Sequence, residues 1–199
     1  MRQLAVDSRV TQGNAKFGGT LFFAAGTQFL IINTIAESIY PNYSVRLNFL
    51  SDLGVGQQTA LIWNASVLLL GILVILGSYH LFRGTGRQKF IVPFLLAGLG
   101  PIVLAIFNEN TIIAVHAIGA YMSFIFGGVS AILSYRLTRA PFRYFATILG
   151  VITLIAIVLF TAGQYLGMGV GGMERMIVYP ILAWAMSFGG YLMAEAPAT

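Results

Sequence analysis

Residues 58–82, QTALIWNASVLLLGILVILGSYHLF, decide the fold. The run contains no Asp, Glu, Lys or Arg and no alternation of apolar and polar positions. A helix rises about 1.5 Å per residue, so about 20 residues cross a hydrocarbon core of about 30 Å. Backbone groups in lipid are satisfied only within a helix or by a closed barrel, and a long run without period-two alternation is a helix. Working outward, five further runs qualify, at about 17–37, 90–107, 111–135, 144–166 and 176–194. Of the 199 residues, 58% are hydrophobic and 9% charged, against roughly 25% charged in soluble domains. The mean hydropathy is +0.85. So little polar surface cannot cover a water-soluble globule. The sequence therefore predicts an all-α integral membrane protein, a bundle of six transmembrane helices forming a single domain over residues 1–199.

The first run follows a basic start, as a signal peptide would, but it continues from Phe17 to about Ile35 before any charge, which marks a retained span. The chain has no cysteine, so neither a disulfide framework nor a thiolate metal site is expected. Its 23 glycines suit helices that approach closely in a membrane.

Charge distribution sets the expected topology. Arg2, Arg9 and Lys16 precede span one, Arg83, Arg87 and Lys89 separate spans two and three, and Arg136, Arg139 and Arg143 separate spans four and five. These are nine of the 11 basic residues; Arg46 and Arg175 fall on the opposite side. The positive-inside rule places both termini in the cytoplasm of a multi-pass cell-membrane protein. Basic clusters confined to span ends are explained by topology, so the net charge of +5 does not point to nucleic acid.

Glu37, Asp52, Glu109 and Glu174 fall at the non-cytoplasmic side, leaving Asp7 and Glu195 inside. The amides of Asn33, Asn64 and Gln164 lean the same way, toward the outer ends of spans one, two and five. His116 lies about 7–8 Å below the outer end of span four. Within that span His116, Gly119, Ala120, Ser123, Gly127 and Ser130 recur at three- and four-residue steps, forming one small polar face. Gly26, Asn33 and Glu37 share a face of span one, as do Gln57, Asn64 and Gly71 of span two. Lipid offers polar groups no partner, so these faces are expected to look inward. Gly163 and Gly167 make a small-xxx-small pair near the outer end of span five.

The connection YPNYSVRLNFLSDLG at 40–54 gathers Arg46, Asn48, Ser51 and Asp52 between the first two spans. Asp52 and Ser51 read either as an N-cap for span two or as groups at the mouth of the bundle that serve as ligand, base or cation partner. His116 is an ionisable group inside a span, a functional candidate by default, with a neutral, hydrogen-bonded imidazole as the plainer alternative. Glu109 lies seven residues before it, and two helical turns would put both on one face. Glu174 suits the positive end of span six, with Arg175 beside it for an outer carboxylate. An outer salt-bridge network of Arg46, Arg175, Asp52 and Glu174 is the structural alternative. The candidate ligand-binding set is therefore Arg46, Ser51, Asp52, Glu109, His116, Glu174 and Arg175, with Asp52, His116 and Glu109 as catalytic candidates. No phosphate loop, dinucleotide fingerprint or redox-cofactor motif occurs. A divalent metal on His116, Asp52 and Glu174 would have enough ligands but lacks HExxH or paired-His spacing.

Three stretches, YPNYSVRLNFLSDLG at 40–54, FNEN…H at 107–116 and GGMERMIVYPILAW at 171–184, resemble an uncharacterised six-helix family of prokaryotic membrane proteins, domain of unknown function nine-nine-eight. The SDLG loop and the later intramembrane His are also loosely similar to the Frag/DRAM/Sfk membrane proteins. The resemblance covers essentially the whole chain, implies six spans, points to Ser51, Asp52, Glu109, His116, Glu174 and Arg175, and implies no activity. From the residues themselves, the leading expectation is an outward-facing polar pocket for a lipid headgroup or small polar ligand. The alternatives are a metal-assisted hydrolase acting on lipid at the outer leaflet, and a small accessory subunit of a larger respiratory or transport complex. Partners are thus membrane lipids and, in the last case, other membrane subunits.

Overall fold

The structure is a computed structural model that describes residues 2–85 and 87–194 and, except for residues 2–11, 84 and 85, their side chains. Glu195 lies outside the described residues, as do the side chains of Arg2, Asp7 and Arg9. Six helices follow one another: α1 (Arg2–Ile39), α2 (Ala60–Thr85), α3 (Ile91–Ile106), α4 (Ile113–Leu133), α5 (Phe142–Thr161) and α6 (Gly169–Ala194). Each contains or extends into a stretch long and apolar enough to cross a membrane. This is a multi-pass membrane protein.

The helices close a ring in chain order, each packed on its neighbour in sequence, with α6 returning to α1. Short connections make sequential helices antiparallel neighbours, so Ile39, Ala60, Ile106, Ile113, Thr161 and Gly169 all sit at one end. Glycines set the spacing. A Cβ on Gly18 would lie 2.8 Å from the Gly77 carbonyl, one on Gly19 2.7 Å from that of Gly189, and one on Gly98 2.9 Å from that of Gly71. Gly119 meets the Gly100 carbonyl and Gly150 that of Gly128 in the same way. Five of the six helix interfaces thus bring backbone against backbone at small residues, where dispersion contacts drive association in lipid. At the sixth, between α5 and α6, the Thr153 hydroxyl donates to the Ile177 carbonyl at 3.1 Å.

The two ends of the ring are filled differently. Toward the termini, Phe22, Phe82, Phe94, Trp184 and Phe188 form a fully packed aromatic cluster. Toward the 40–59 connection, a second cluster of Phe29, Leu53, Trp63, Leu104 and Val178 lies under the loop. The small face of α4 turns inward as its spacing predicts: His116, Gly119, Ser123, Gly127 and Ser130 are buried. Gly163 and Gly167 do not join helices. Both lie beyond the end of α5 at positive φ with nothing near them. Gly163 ends α5, its N–H reaching the Phe160 carbonyl at 3.0 Å while the next N–H, of Gln164, reaches Leu159 at 2.8 Å. That is a glycine terminating a helix in the left-handed conformation, and it leaves Gln164 exposed rather than buried.

Candidate functional site

The 40–59 connection folds back over the open end of the ring and is fastened by two consecutive residues of α6. Gly169 and Gly171 let the 45–48 turn lie directly on the start of that helix, where a Cβ on Gly171 would fall 2.5 Å from the Val45 carbonyl. Arg175, 5% exposed, donates through Nη1 to the carbonyls of Gly171 (2.9 Å), Val45 (3.2 Å) and Asn48 (3.3 Å). Its Nη2 pairs with Glu37 Oε1 of α1 at 2.5 Å and reaches the Tyr43 hydroxyl. Glu37 in turn accepts from Asn33 Nδ2 at 3.1 Å, and Asn33 Oδ1 accepts from Trp63 Nε1 at 3.1 Å, so one polar chain runs from α6 through α1 to α2. Burial raises the Tyr43 phenol well above its ordinary value, against the pull of Arg175. It stays protonated and donates to the Phe49 carbonyl at 3.2 Å.

Glu174 faces the other way. It is 8% exposed, and its Oε2 accepts the Leu50 N–H at 2.5 Å. It lines two adjoining cavities. The deeper, about 110 Å³, is walled by Phe29, Trp63, Val67, Leu104 and Leu182 and floored by Trp184. The second, about 260 Å³, opens between α4, α5 and α6 and adds Phe49, Glu109, Tyr121 and Phe160. Ser51, His116, Ala120, Phe124 and Glu174 line both. The His116 ring is 7% exposed, with Nδ1 2.9 Å from the Phe107 carbonyl and Nε2 3.6 Å from Glu109 Oε1. The result is an apolar chamber adjoining a vestibule lined by five polar side chains, Ser51, Glu109, His116, Tyr121 and Glu174.

A family model matches residues 23–190, most of the chain. The chain belongs to the family Protein of unknown function (DUF998). No curated protein and no solved structure matches it.

In this DUF998 protein the residues singled out by the sequence divide into two groups. Ser51, Glu109, His116 and Glu174 border the cavities. Arg175 and Asp52 instead build the loop. Asp52 does not cap α2, which begins eight residues later at Ala60. Its Oδ2 accepts the Phe49 N–H (3.0 Å) and Asn48 Nδ2 (2.8 Å), bracing a single 3-10 turn, Ser51–Gly54. The side chain at the start of α2 is Thr59, whose hydroxyl donates to the Leu53 carbonyl at 2.6 Å. Arg46 is exposed and contributes its carbonyl to the Gly171 N–H. Gln57 precedes α2 and is exposed. The Arg175 partner is Glu37, so the ion pair joins α6 to α1 rather than to Asp52 or Glu174.

Two positions differ in how they arise. Glu174 and Arg175 lie within α6, because the glycine-rich stretch 169–172 opens that helix rather than preceding it. Glu109 is not on α4, which starts at Ile113; the 107–112 loop doubles back and brings the carboxylate to His116. Among the described residues no three His, Asp or Glu side chains gather as metal ligands; of His116, Asp52 and Glu174, Asp52 is engaged with the loop backbone. Sequence reasoning did not single out Glu37 as an anchor or Trp63 as a cavity wall. The spacing of Asn33 and Glu37, one helical turn apart, was the available signal for the first.

Proposed function

We propose that this membrane protein binds a lipid or similar amphiphile, with the polar headgroup in the vestibule of Ser51, Glu109, His116 and Glu174 and the chain in the apolar chamber. One observation carries this reading: five residues line both cavities, so the polar vestibule and the apolar chamber adjoin across one common set of side chains. Ligand sites are mostly apolar, with a few polar groups fixing orientation, and ionisable groups at membrane depth mark functional positions. The second cavity also reaches the α4–α5 seam, whose rim carries an exposed hydrogen bond between Tyr121 and Thr161 at 3.0 Å. That seam is the route by which an acyl chain passes from the bilayer. The basic residues at the opposite end support a vestibule on the non-cytoplasmic side of the membrane.

Both tryptophans, Trp63 and Trp184, line the chamber, which supplies the test. A brominated-chain amphiphile titrated into detergent-solubilised protein should quench their fluorescence saturably, near one equivalent. Ala120→Leu, which fills the junction of the two cavities, should abolish saturation and leave thermal stability unchanged. Quenching that rises linearly and equally in both proteins would mean partition into the micelle and would remove the reading. For orientation, the cysteine-free chain allows a single Cys at the exposed Asn42; a membrane-impermeant thiol reagent should label it in intact cells.

A further inference from the structure

We infer that the headgroup taken by this vestibule carries a protonated amine, an inference that rests on the amphiphile reading above. The argument is a count of donors and acceptors. A carbonyl only accepts, so the His116 Nδ1 facing Phe107 carries the ring proton and donates it. In the neutral ring Nε2 is then an acceptor. It faces Glu109 Oε1, also an acceptor, across 3.6 Å, a gap too wide for a hydrogen bond. At that distance neither atom uses the other's hydrogen-bonding capacity. Glu174 gives one oxygen to Leu50, and its Oε1 has no hydrogen-bond partner among the described residues although the side chain is more than nine-tenths buried. The Ser51 hydroxyl, on the wall of both cavities, is likewise without a partner among the described residues.

The walls thus present two carboxyl groups, an imidazole nitrogen, the Ser51 hydroxyl and the Tyr121 hydroxyl, the last engaged with Thr161, and among the described residues no Lys or Arg lines either cavity. The nearest cation in sequence, Arg175, turns both Nη atoms to the loop carbonyls, Tyr43 and Glu37. An ammonium brings three donors and a positive charge to this excess of acceptors. A phosphate brings mainly acceptors to walls that already hold an excess of them, and its negative charge finds no cation there in a low-dielectric site. A plain alcohol offers one donor.

The test is competition for the tryptophan-quenching site by dodecylamine, dodecyl phosphate and dodecanol, which share a chain and differ in headgroup. Dodecylamine should displace the brominated probe at a concentration at least about tenfold below that of the phosphate, a ratio equal to about 1.4 kcal/mol. Glu174→Gln keeps an acceptor for the Leu50 N–H, so the loop is retained. Glu109→Gln lies apart from that loop and covers the case in which the first variant does not fold. Each should lose the preference for the amine over the phosphate. Butylamine separates the sources: displacement by it as strong as by dodecylamine points to a free amine, and displacement only by the long chain to a lipid. The inference is overturned if the phosphate competes as well as the amine, or if the preference survives in both variants. Saturable displacement by dodecanol without amine preference would leave the amphiphile reading standing; no displacement by any probe would remove both.

Discussion

At the end of the bundle nearest the termini, Phe22, Phe82, Phe94, Trp184 and Phe188 close on one another with ring centroids 5.1 to 6.2 Å apart. At the opposite end, Glu37, Arg175, Tyr43, Asn33 and Trp63 are joined bond by bond. The first region is held by shape and apolarity, which tolerate apolar residues of similar volume, and its polar tie among the described residues is the Trp184 Nε1 hydrogen bond to Ser134 Oγ at 3.1 Å. The second buries charge, and each group there depends on a particular partner. The proposed site lies in the second region because a ring of helices filled with hydrocarbon has nothing to offer a polar ligand. Glu174 and Arg175, adjacent in the chain, show the division at its sharpest: one faces the cavity, and the other is spent holding the loop that roofs it.

The contrast predicts unequal costs. Arg175→Met should be the most damaging, since it strands Glu37 and the loop carbonyls of Val45 and Asn48; breaking a buried ion pair costs about 3–5 kcal/mol. Thermal unfolding in detergent measures it, and a loss no greater than that of Phe188→Leu would abolish the distinction between the two ends. Gly150→Val comes next. Its Cβ would lie 2.5 Å from the Gly128 carbonyl, forcing α4 from α5 at about 1–3 kcal/mol and widening the proposed seam, which faster equilibration of a quencher would reveal. Phe188→Leu, in the aromatic region, should cost below about 1.5 kcal/mol because neighbouring rings repack. Smallest is Tyr121→Phe. Removing one exposed interhelical hydrogen bond costs about 0.6 kcal/mol, so unfolding should barely change while the on-rate of a brominated amphiphile rises; an unchanged on-rate would mean that the Tyr121–Thr161 bond does not restrain the seam.

Much of the architecture could be read from the chain. The run at 58–82 and its five counterparts leave only helices as an option in lipid, and the steps from His116 to Ser130 state which face of α4 turns inward. The site was legible in its membership and less so in its assignments. Ser51, Glu109, His116 and Glu174 stood out as ionisable or polar groups near one end of apolar runs. Nothing in their spacing separated them from Asp52 and Arg175, because a carboxylate bracing a turn and one lining a cavity look alike in sequence. The Glu37–Arg175 pair joins residues 138 positions apart, and the Glu109–His116 approach depends on a loop rather than on helical periodicity.

By itself the sequence determined the number of helices, their type and which faces are polar, since each follows from solvation of a local stretch of backbone and side chains. Only the tertiary structure decided which acid meets the base, which loop roofs the ring and that a polar and an apolar cavity share a wall. Those are relations between segments far apart in the chain, set by how glycine-lined helices settle against one another, and no local pattern encodes them.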